Sequence, residues 1–122
     1  MRLHVRGRGL PDGEPVEWWI VDGVLSAEPV AGADTVFGAD GAEGWVIPGL
    51  VDAHCHVGLG QHGAIEMDEA VAQAETERAA GALLLRDAGS PTDTRGFDDR
   101  VDLPRIIRAG RHLARPKRYQ RG

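Results

Sequence analysis

The first third of the chain alternates hydrophobic and polar residues over several short stretches, a pattern that predicts β-strands. Two of these stretches flank Asp22-Gly23, a pair typical of the two-residue turn of a β-hairpin. Glycine-rich turns separate the others. Together they predict a small half-sandwich of strands, the N-terminal β-subdomain, over residues 1–47. The predicted strands are residues 2–6, 17–21, 24–25, 35–37 and 45–47.

The pattern changes after Pro48-Gly49, where longer elements take over. An apolar strand is followed by a glycine-rich loop, a helix with hydrophobic residues at helical spacing, and a second apolar strand. The two strands lie too far apart in sequence for a hairpin, so we expect a parallel βαβ unit. A further strand is predicted near the end. The predicted elements are strands 50–57, 82–85 and 105–109, loop 58–64 and helix 66–80, with Met67, Val71 and Ala74 on its apolar face.

Composition is that of a soluble globular protein, with 42% hydrophobic and 27% charged residues in 122. No apolar run approaches the roughly 20 residues that span a bilayer, so no membrane partner is expected. The single cysteine, Cys55, cannot form an internal disulfide and is interpreted as a packing residue. The N-terminal residues lack the apolar centre of a signal peptide. These features predict a cytoplasmic protein.

Charge is spread unevenly along the chain. Residues 1–94 carry 5 basic and 16 acidic side chains, whereas residues 95–122 carry 9 basic and 3 acidic ones. A basic tail can bind phosphate groups, but only Tyr119 follows residue 97 as an aromatic that could stack on a base. We therefore predict no nucleic-acid partner, and interpret the tail as a solvated surface or a face for another part of the fold.

Asp52, His54 and His56 stand at every second position of the predicted strand 50–57. Alternate residues of a strand share one face, and burying three ionisable groups there is costly unless they are paired or bind a metal. Ligands of parallel α/β folds lie at the carboxyl ends of strands, where these histidines fall. Two imidazoles there can converge on a divalent cation. Buried polar histidines without a metal are the alternative.

Residues 48–56, Pro-Gly-Leu-Val-Asp-Ala-His-Cys-His, resemble the signature of the amidohydrolase superfamily of metal-dependent hydrolases. Residues 83–89 resemble the second barrel strand of its imidazolonepropionase-like branch, and the hairpin at residues 18–25 is similar to the family's N-terminal piece. The resemblance implies an α/β fold. In it, the N-terminal β-subdomain is followed by the first two or three βα units of an incomplete (β/α)8 TIM-type barrel, over residues 48–122.

By this resemblance His54 and His56 bind a divalent metal, zinc first, with iron, manganese or nickel as alternatives. Asp52 is expected to be a structural residue that orients an imidazole, with direct metal ligation as the alternative. Arg86 and Asp87 are candidate substrate contacts, and a plain ion pair or loop anchor is the other interpretation. The implied reaction is hydrolysis of a C–N bond in a small-molecule amide, cyclic amide or imine by metal-activated water.

A (β/α)8 barrel takes roughly 250 residues, and only 71 run from Asp52 to Gly122. The family's later metal ligands and its catalytic aspartate have no counterpart, so no catalytic residue is assigned within the chain. His62 is interpreted as an exposed loop histidine. We expect an N-terminal portion of a hydrolase that is inactive alone and associates through unpaired barrel strands.

Two other interpretations stay open. The chain could be a non-catalytic metal-binding or interaction module that pairs with another chain through its basic tail. It could also be an unrelated small β protein in which His-x-His occurs by chance.

Overall fold

Two units follow each other along the chain in a computed structural model, which describes residues 1–38 and 44–111. The contacts divide the chain into Met1–Pro48 and Gly49–Gly122. The boundary expected from the sequence, between residues 47 and 48, lies one residue before this division.

The first unit is a five-stranded sheet built around its first strand. This strand pairs antiparallel with the second, which pairs antiparallel with the third, and its other edge pairs parallel with the fourth and fifth. All five strands predicted from the alternating pattern are present. They are β1 (Arg2–Gly9), β2 (Pro15–Val21), β3 (Val24–Ser26), β4 (Asp34–Phe37) and β5 (Trp45–Val46).

The turn between β2 and β3 is the one that its dipeptide predicts. Asp22 has a φ of 48° and Gly23 a φ of 83°, and Val21 faces Val24 across the turn. Two consecutive positive φ angles match the right-handed twist of the flanking strands, and Asp-Gly reaches them at low cost. The hairpin therefore follows from local backbone chemistry.

A polar cluster ties three strands of this sheet together. The ring of His4 stacks on that of Trp19, with 4.8 Å between ring centroids. Its Nε2 lies 2.8 Å from Glu17 Oε1 and its Nδ1 lies 3.0 Å from Thr35 Oγ1. These contacts join β1 to β2 and β4, and they account for the histidine by cross-strand packing.

The second unit contains a three-stranded parallel sheet in the order β10-β9-β6. The helix lies in sequence between β6 and β9, which gives the βαβ unit that the sequence predicts. A short β7–β8 hairpin occupies the predicted glycine-rich loop. The elements are β6 (Leu50–Cys55), β7 (Leu59–Gly60), β8 (Gly63–Ala64), α1 (Met67–Ala79), β9 (Ala82–Asp87), a 3₁₀ helix (Thr94–Phe97) and β10 (Arg105–Arg108).

The helix packs on the core of this unit through small residues. Ala70 and Ala74 are fully buried in one cluster with Leu85, and Val71 is half-buried against it. Met67, which the pattern placed on the apolar face, is exposed. The buried face is therefore rotated from the predicted one. Alanines let the helix approach closely, so few large side chains are needed there.

The predicted fold class is wrong. The start of a (β/α)8 barrel needs repeated βα units, whereas the described residues contain one α-helix and ten strands, most of them outside the parallel sheet. β9 is joined to β10 by a 3₁₀ helix and turns instead of a second α-helix. The physical reason lies in residues 88–104, where glycine, proline and closely spaced aspartates interrupt any helical hydrophobic period.

In the part of the chain that the structure describes, no helix is long and apolar enough to cross a membrane. The last part of the basic tail, residues 112–122 with Tyr119, lies outside the described residues.

Leu85 should carry a large share of the stability of the second unit, because it is fully buried. We expect Leu85→Ala to lower the free energy of unfolding by about 3 kcal/mol, the usual cost of an unfilled leucine cavity. Leu83→Ala on the same strand is the control, since Leu83 is 50% exposed, and should cost under about 1 kcal/mol. Urea unfolding followed by circular dichroism measures both, and equal costs would contradict the proposed core.

Candidate functional site

The two histidines of the His-x-His pattern meet at the carboxyl end of β6. His54 is an exposed residue of the strand, and His56 follows its last residue and is half-buried. Their ring centroids lie 5.3 Å apart with an angle of 75° between the ring planes. The strand therefore brings both imidazoles together in an edge-on arrangement.

His56 is held in one tautomer by a backbone contact. Its Nδ1 lies 2.6 Å from the carbonyl oxygen of Gly89, which follows β9. A carbonyl oxygen can only accept a hydrogen bond, so Nδ1 carries the proton and donates it. In the neutral ring Nε2 then keeps its lone pair, which is the form of histidine that binds metals.

Asp52 contacts the main chain of its own strand. Its Oδ1 accepts a hydrogen bond of 2.9 Å from the backbone N–H of His54. Such a bond between a carboxylate and the N–H two residues later fixes the local backbone. The contact therefore holds the backbone of the residue that carries the His54 ring. The expected role of Asp52 in orienting an imidazole stays a prediction.

The strict alternation expected along β6 does not hold. The pairing of β6 with β9 is irregular between Asp52 and Cys55, and these two half-buried residues are separated by the exposed Ala53 and His54. An irregularity of this kind changes the phase of the side chains. Asp52, His54 and His56 thus do not form the simple row that a regular strand would give.

Asp87 and Arg86 end β9 in different environments. Asp87 is 3% exposed, and its Oδ1 accepts a 2.8 Å hydrogen bond from the backbone N–H of Gly89. Arg86 is exposed. Neither forms an ion pair with another residue in the described ranges 1–38 and 44–111. Their expected role as substrate contacts stays a prediction.

The loop after His56 is fixed by two polar side chains. Gln73 of α1 accepts from the N–H of Gly58 at 2.8 Å and donates to the carbonyl of Leu59 at 3.1 Å. Thr92 Oγ1 donates to the carbonyl of Gly58 at 2.7 Å. These contacts attach the chain beyond His56 to both the helix and the segment after β9.

Cys55 lies between the two histidines and packs against the core cluster. Burial raises the pKa of its thiol to about 11, with further contributions from the negative charges of Asp52, Asp87 and Glu77. A thiol with this pKa stays protonated at neutral pH and is a poor metal ligand.

The described residues contain no group of three or more histidine, cysteine or acidic side chains that could hold a metal ion. His62 lies between β7 and β8 and is exposed. The site within this part of the chain therefore consists of two imidazoles and the groups that position them.

One feature of the site escaped the sequence interpretation. The link from Asp87 through Gly89 to His56 was not foreseen, although Asp-x-Gly after a strand is a signal for a side-chain-capped turn. This signal predicts the turn, but it does not predict that the carbonyl of Gly89 contacts the ring of His56.

Comparison with known proteins identifies relatives in mycobacteria. The chain is 75% identical over all 122 residues to an uncharacterized protein of Mycobacterium bovis and to uncharacterized proteins of two strains of Mycobacterium tuberculosis. It spans 32% of the length of each relative. No protein-family model and no solved structure matches the chain.

The raised pKa of Cys55 predicts slow alkylation of the folded chain. At pH 8 we expect iodoacetamide to react at least about tenfold more slowly with the native chain than with the urea-unfolded chain, whose thiol titrates normally. The rate should rise as the pH approaches about 11. The same pKa shift makes the free energy of unfolding depend on pH. Its stabilising contribution is fully present below the ordinary thiol pKa and is lost as the pH rises through the pKa of the folded state, about 11. Equal rates for both states, measured by mass spectrometry, would contradict this.

Proposed function

We propose that His54 and His56 supply two ligands of a divalent metal site in a metal-dependent hydrolase of the amidohydrolase superfamily. The reaction is hydrolysis of a C–N bond in a small amide, cyclic amide or imine. The observation that supports this most directly is the spacing of the two imidazole rings.

The spacing agrees with shared coordination of one ion. An ion about 2.1 Å from an imidazole nitrogen lies about 3.2 Å from the ring centre, so two ligand rings at the tetrahedral angle have centres about 5.2 Å apart. The observed separation of His54 and His56 is 5.3 Å. Donor chemistry agrees as well, because imidazole nitrogen suits zinc first and also iron, manganese and nickel.

The tautomer of His56 supports the same proposal. Its Nδ1–H is directed to the carbonyl of Gly89, which leaves Nε2 as the nitrogen able to bind a metal. A histidine whose second nitrogen donates to a carbonyl is the usual arrangement of a metal ligand. A divalent metal, when bound, supplies a nucleophile from water at neutral pH and polarises the substrate carbonyl or imine. In this proposal His54 and His56 hold the ion, and Asp52 and Gly89 hold the histidines.

Two imidazoles leave two positions of a tetrahedral ion without a protein ligand. We therefore propose that the remaining ligands and the general base come from residues outside the described ones. The mycobacterial relatives, of which this chain spans 32%, have the length to contain them. On this proposal the 122 residues alone do not hydrolyse substrate. β6 and β10, which form the edges of the parallel sheet, offer backbone groups for association with the rest of such an enzyme.

The proposal places the protein in the cytoplasm. The free thiol of Cys55 suits a reducing compartment.

Zinc titration of the chain tests the ligand assignment. We expect the double variant His54→Ala with His56→Ala to bind zinc at least about 100-fold more weakly than the native chain, because both ligands are removed. His62→Ala is the matched control, since it removes an exposed histidine outside the pair and should leave the affinity unchanged. Competition with a chromophoric chelator measures all three. Unchanged binding by the double variant would show that the assignment is wrong.

The hydrolase part of the proposal is tested on a longer protein. We expect the Mycobacterium tuberculosis relative to hydrolyse one or more small amides, cyclic amides or imines, to lose this activity on chelation, and to regain it with zinc. Zinc binding without hydrolysis of any of these classes would instead favour a non-catalytic metal-binding module.

A further inference from the structure

Asp87 is a buried carboxylate in a place where burial is costly. Only 3% of it is exposed, and no cationic side chain of the described ranges forms an ion pair with it. Removing a carboxylate from water costs free energy unless hydrogen bonds compensate for it. The hydrogen bond that Asp87 accepts comes from the backbone N–H of Gly89 at 2.8 Å. The role of Asp87 in the fold should therefore depend on its hydrogen bond with Gly89.

Gly89 joins Asp87 to the candidate ligand His56. Its N–H donates to Asp87 Oδ1, and its carbonyl oxygen accepts from His56 Nδ1 at 2.6 Å. Its φ is 128°, a conformation that residues with a side chain rarely adopt. A single residue thus contacts the buried carboxylate through one peptide and the imidazole through the next.

The neighbouring peptides are anchored to both adjacent strands. Ala88 N–H donates to the carbonyl of Cys55 at 2.9 Å, and Ser90 N–H donates to the carbonyl of Gly110 at 3.1 Å. The carbonyl of Gly89 shares its peptide with the N–H of Ser90, so this peptide is also held by Gly110. The hydrogen bond to Asp87 fixes the preceding peptide, Ala88–Gly89, and thereby the positive φ of Gly89, which joins the two peptides.

We propose that Asp87 is a positioning residue for His56. By accepting the N–H of Gly89, it stabilises the positive φ through which the next peptide presents the carbonyl of Gly89 to Nδ1, and so keeps the proton on Nδ1 and the lone pair on Nε2. The benefit to metal binding rests on the proposed function, but the effect on the tautomer does not. The carboxylate acts as a hydrogen-bond acceptor, so an amide in its place should do the same.

The tautomer of His56 can be measured directly on the metal-free chain. The measurement is ¹⁵N NMR of the imidazole nitrogens at alkaline pH with EDTA, with the His56 signals assigned by their loss in His56→Gln. The native chain should show the Nδ1–H form. Asp87→Leu, which is close in shape and removes the acceptor, should lower the ratio of Nδ1–H to Nε2–H about tenfold, the effect of losing one hydrogen bond.

Asp87→Asn is the matched variant, because its side-chain oxygen can still accept from Gly89. It should keep the native tautomer ratio and the slow hydrogen exchange of the Gly89 N–H, both of which Asp87→Leu loses. Rescue by asparagine separates a positioning role from a general effect on folding.

Three results would overturn the proposal. They are an Nε2–H tautomer of His56 in the native chain, a native ratio in folded Asp87→Leu, and a changed ratio in folded Asp87→Asn. The first remains decisive if Asp87→Leu does not fold. Failure of the metal proposal gives a different result. If the chain binds no zinc but Asp87→Leu changes the tautomer ratio as expected, the positioning role of Asp87 still holds. If the chain binds zinc but the tautomer ratio does not depend on Asp87, only the positioning role is wrong.

Discussion

The parallel pairing of β6 with β9 is the constraint on which the site depends. It places His56 beside Gly89, 33 residues later in the chain. The hydrogen bond to the carbonyl of Gly89 then fixes the proton of the ring on Nδ1. The pairing is in turn stabilised by α1, whose buried alanines cover Leu85 at the centre of the sheet. The packing of α1 on Leu85 therefore supports the strand pairing that positions the ring of His56.

Much of the local structure could be predicted because it follows from short-range chemistry. Asp22-Gly23 reaches the positive φ angles of its turn at low cost, and the strand–helix–strand pattern predicted one βαβ unit. The fold class could not be obtained in this way. The resemblance led from a single βαβ unit to the expectation of a barrel. Residues 88–104 instead have the glycine and proline content of turns, and within them only residues 94–97 form a helix, of the 3₁₀ type.

The sequence predicted that two histidine rings lie close together, but not how the strand that carries them is arranged. The spacing of His54 and His56 correctly indicated two neighbouring rings, which the structure places 5.3 Å apart. The regular alternation behind that prediction fails between Asp52 and Cys55. Strand irregularities depend on how two strands pair, so one strand's own sequence does not determine them. The contact between His56 and Gly89 could not be foreseen for the same reason.

The electrostatics of β6 connect the two proposals. Burial is the main cause of the raised pKa of Cys55, and the carboxylates of Asp52 and Asp87 add to it. The two carboxylates thus place negative charge close to Cys55, the residue between the two histidines in sequence. The same charge that disfavours a thiolate favours a divalent cation beside the imidazoles. Under the proposed function, Asp87 then acts in two ways that differ in range. Its hydrogen bond to Gly89 sets the tautomer of one ligand, and its charge favours the ion. Replacement by asparagine keeps the first effect and removes the second, so the two can be separated at a single position.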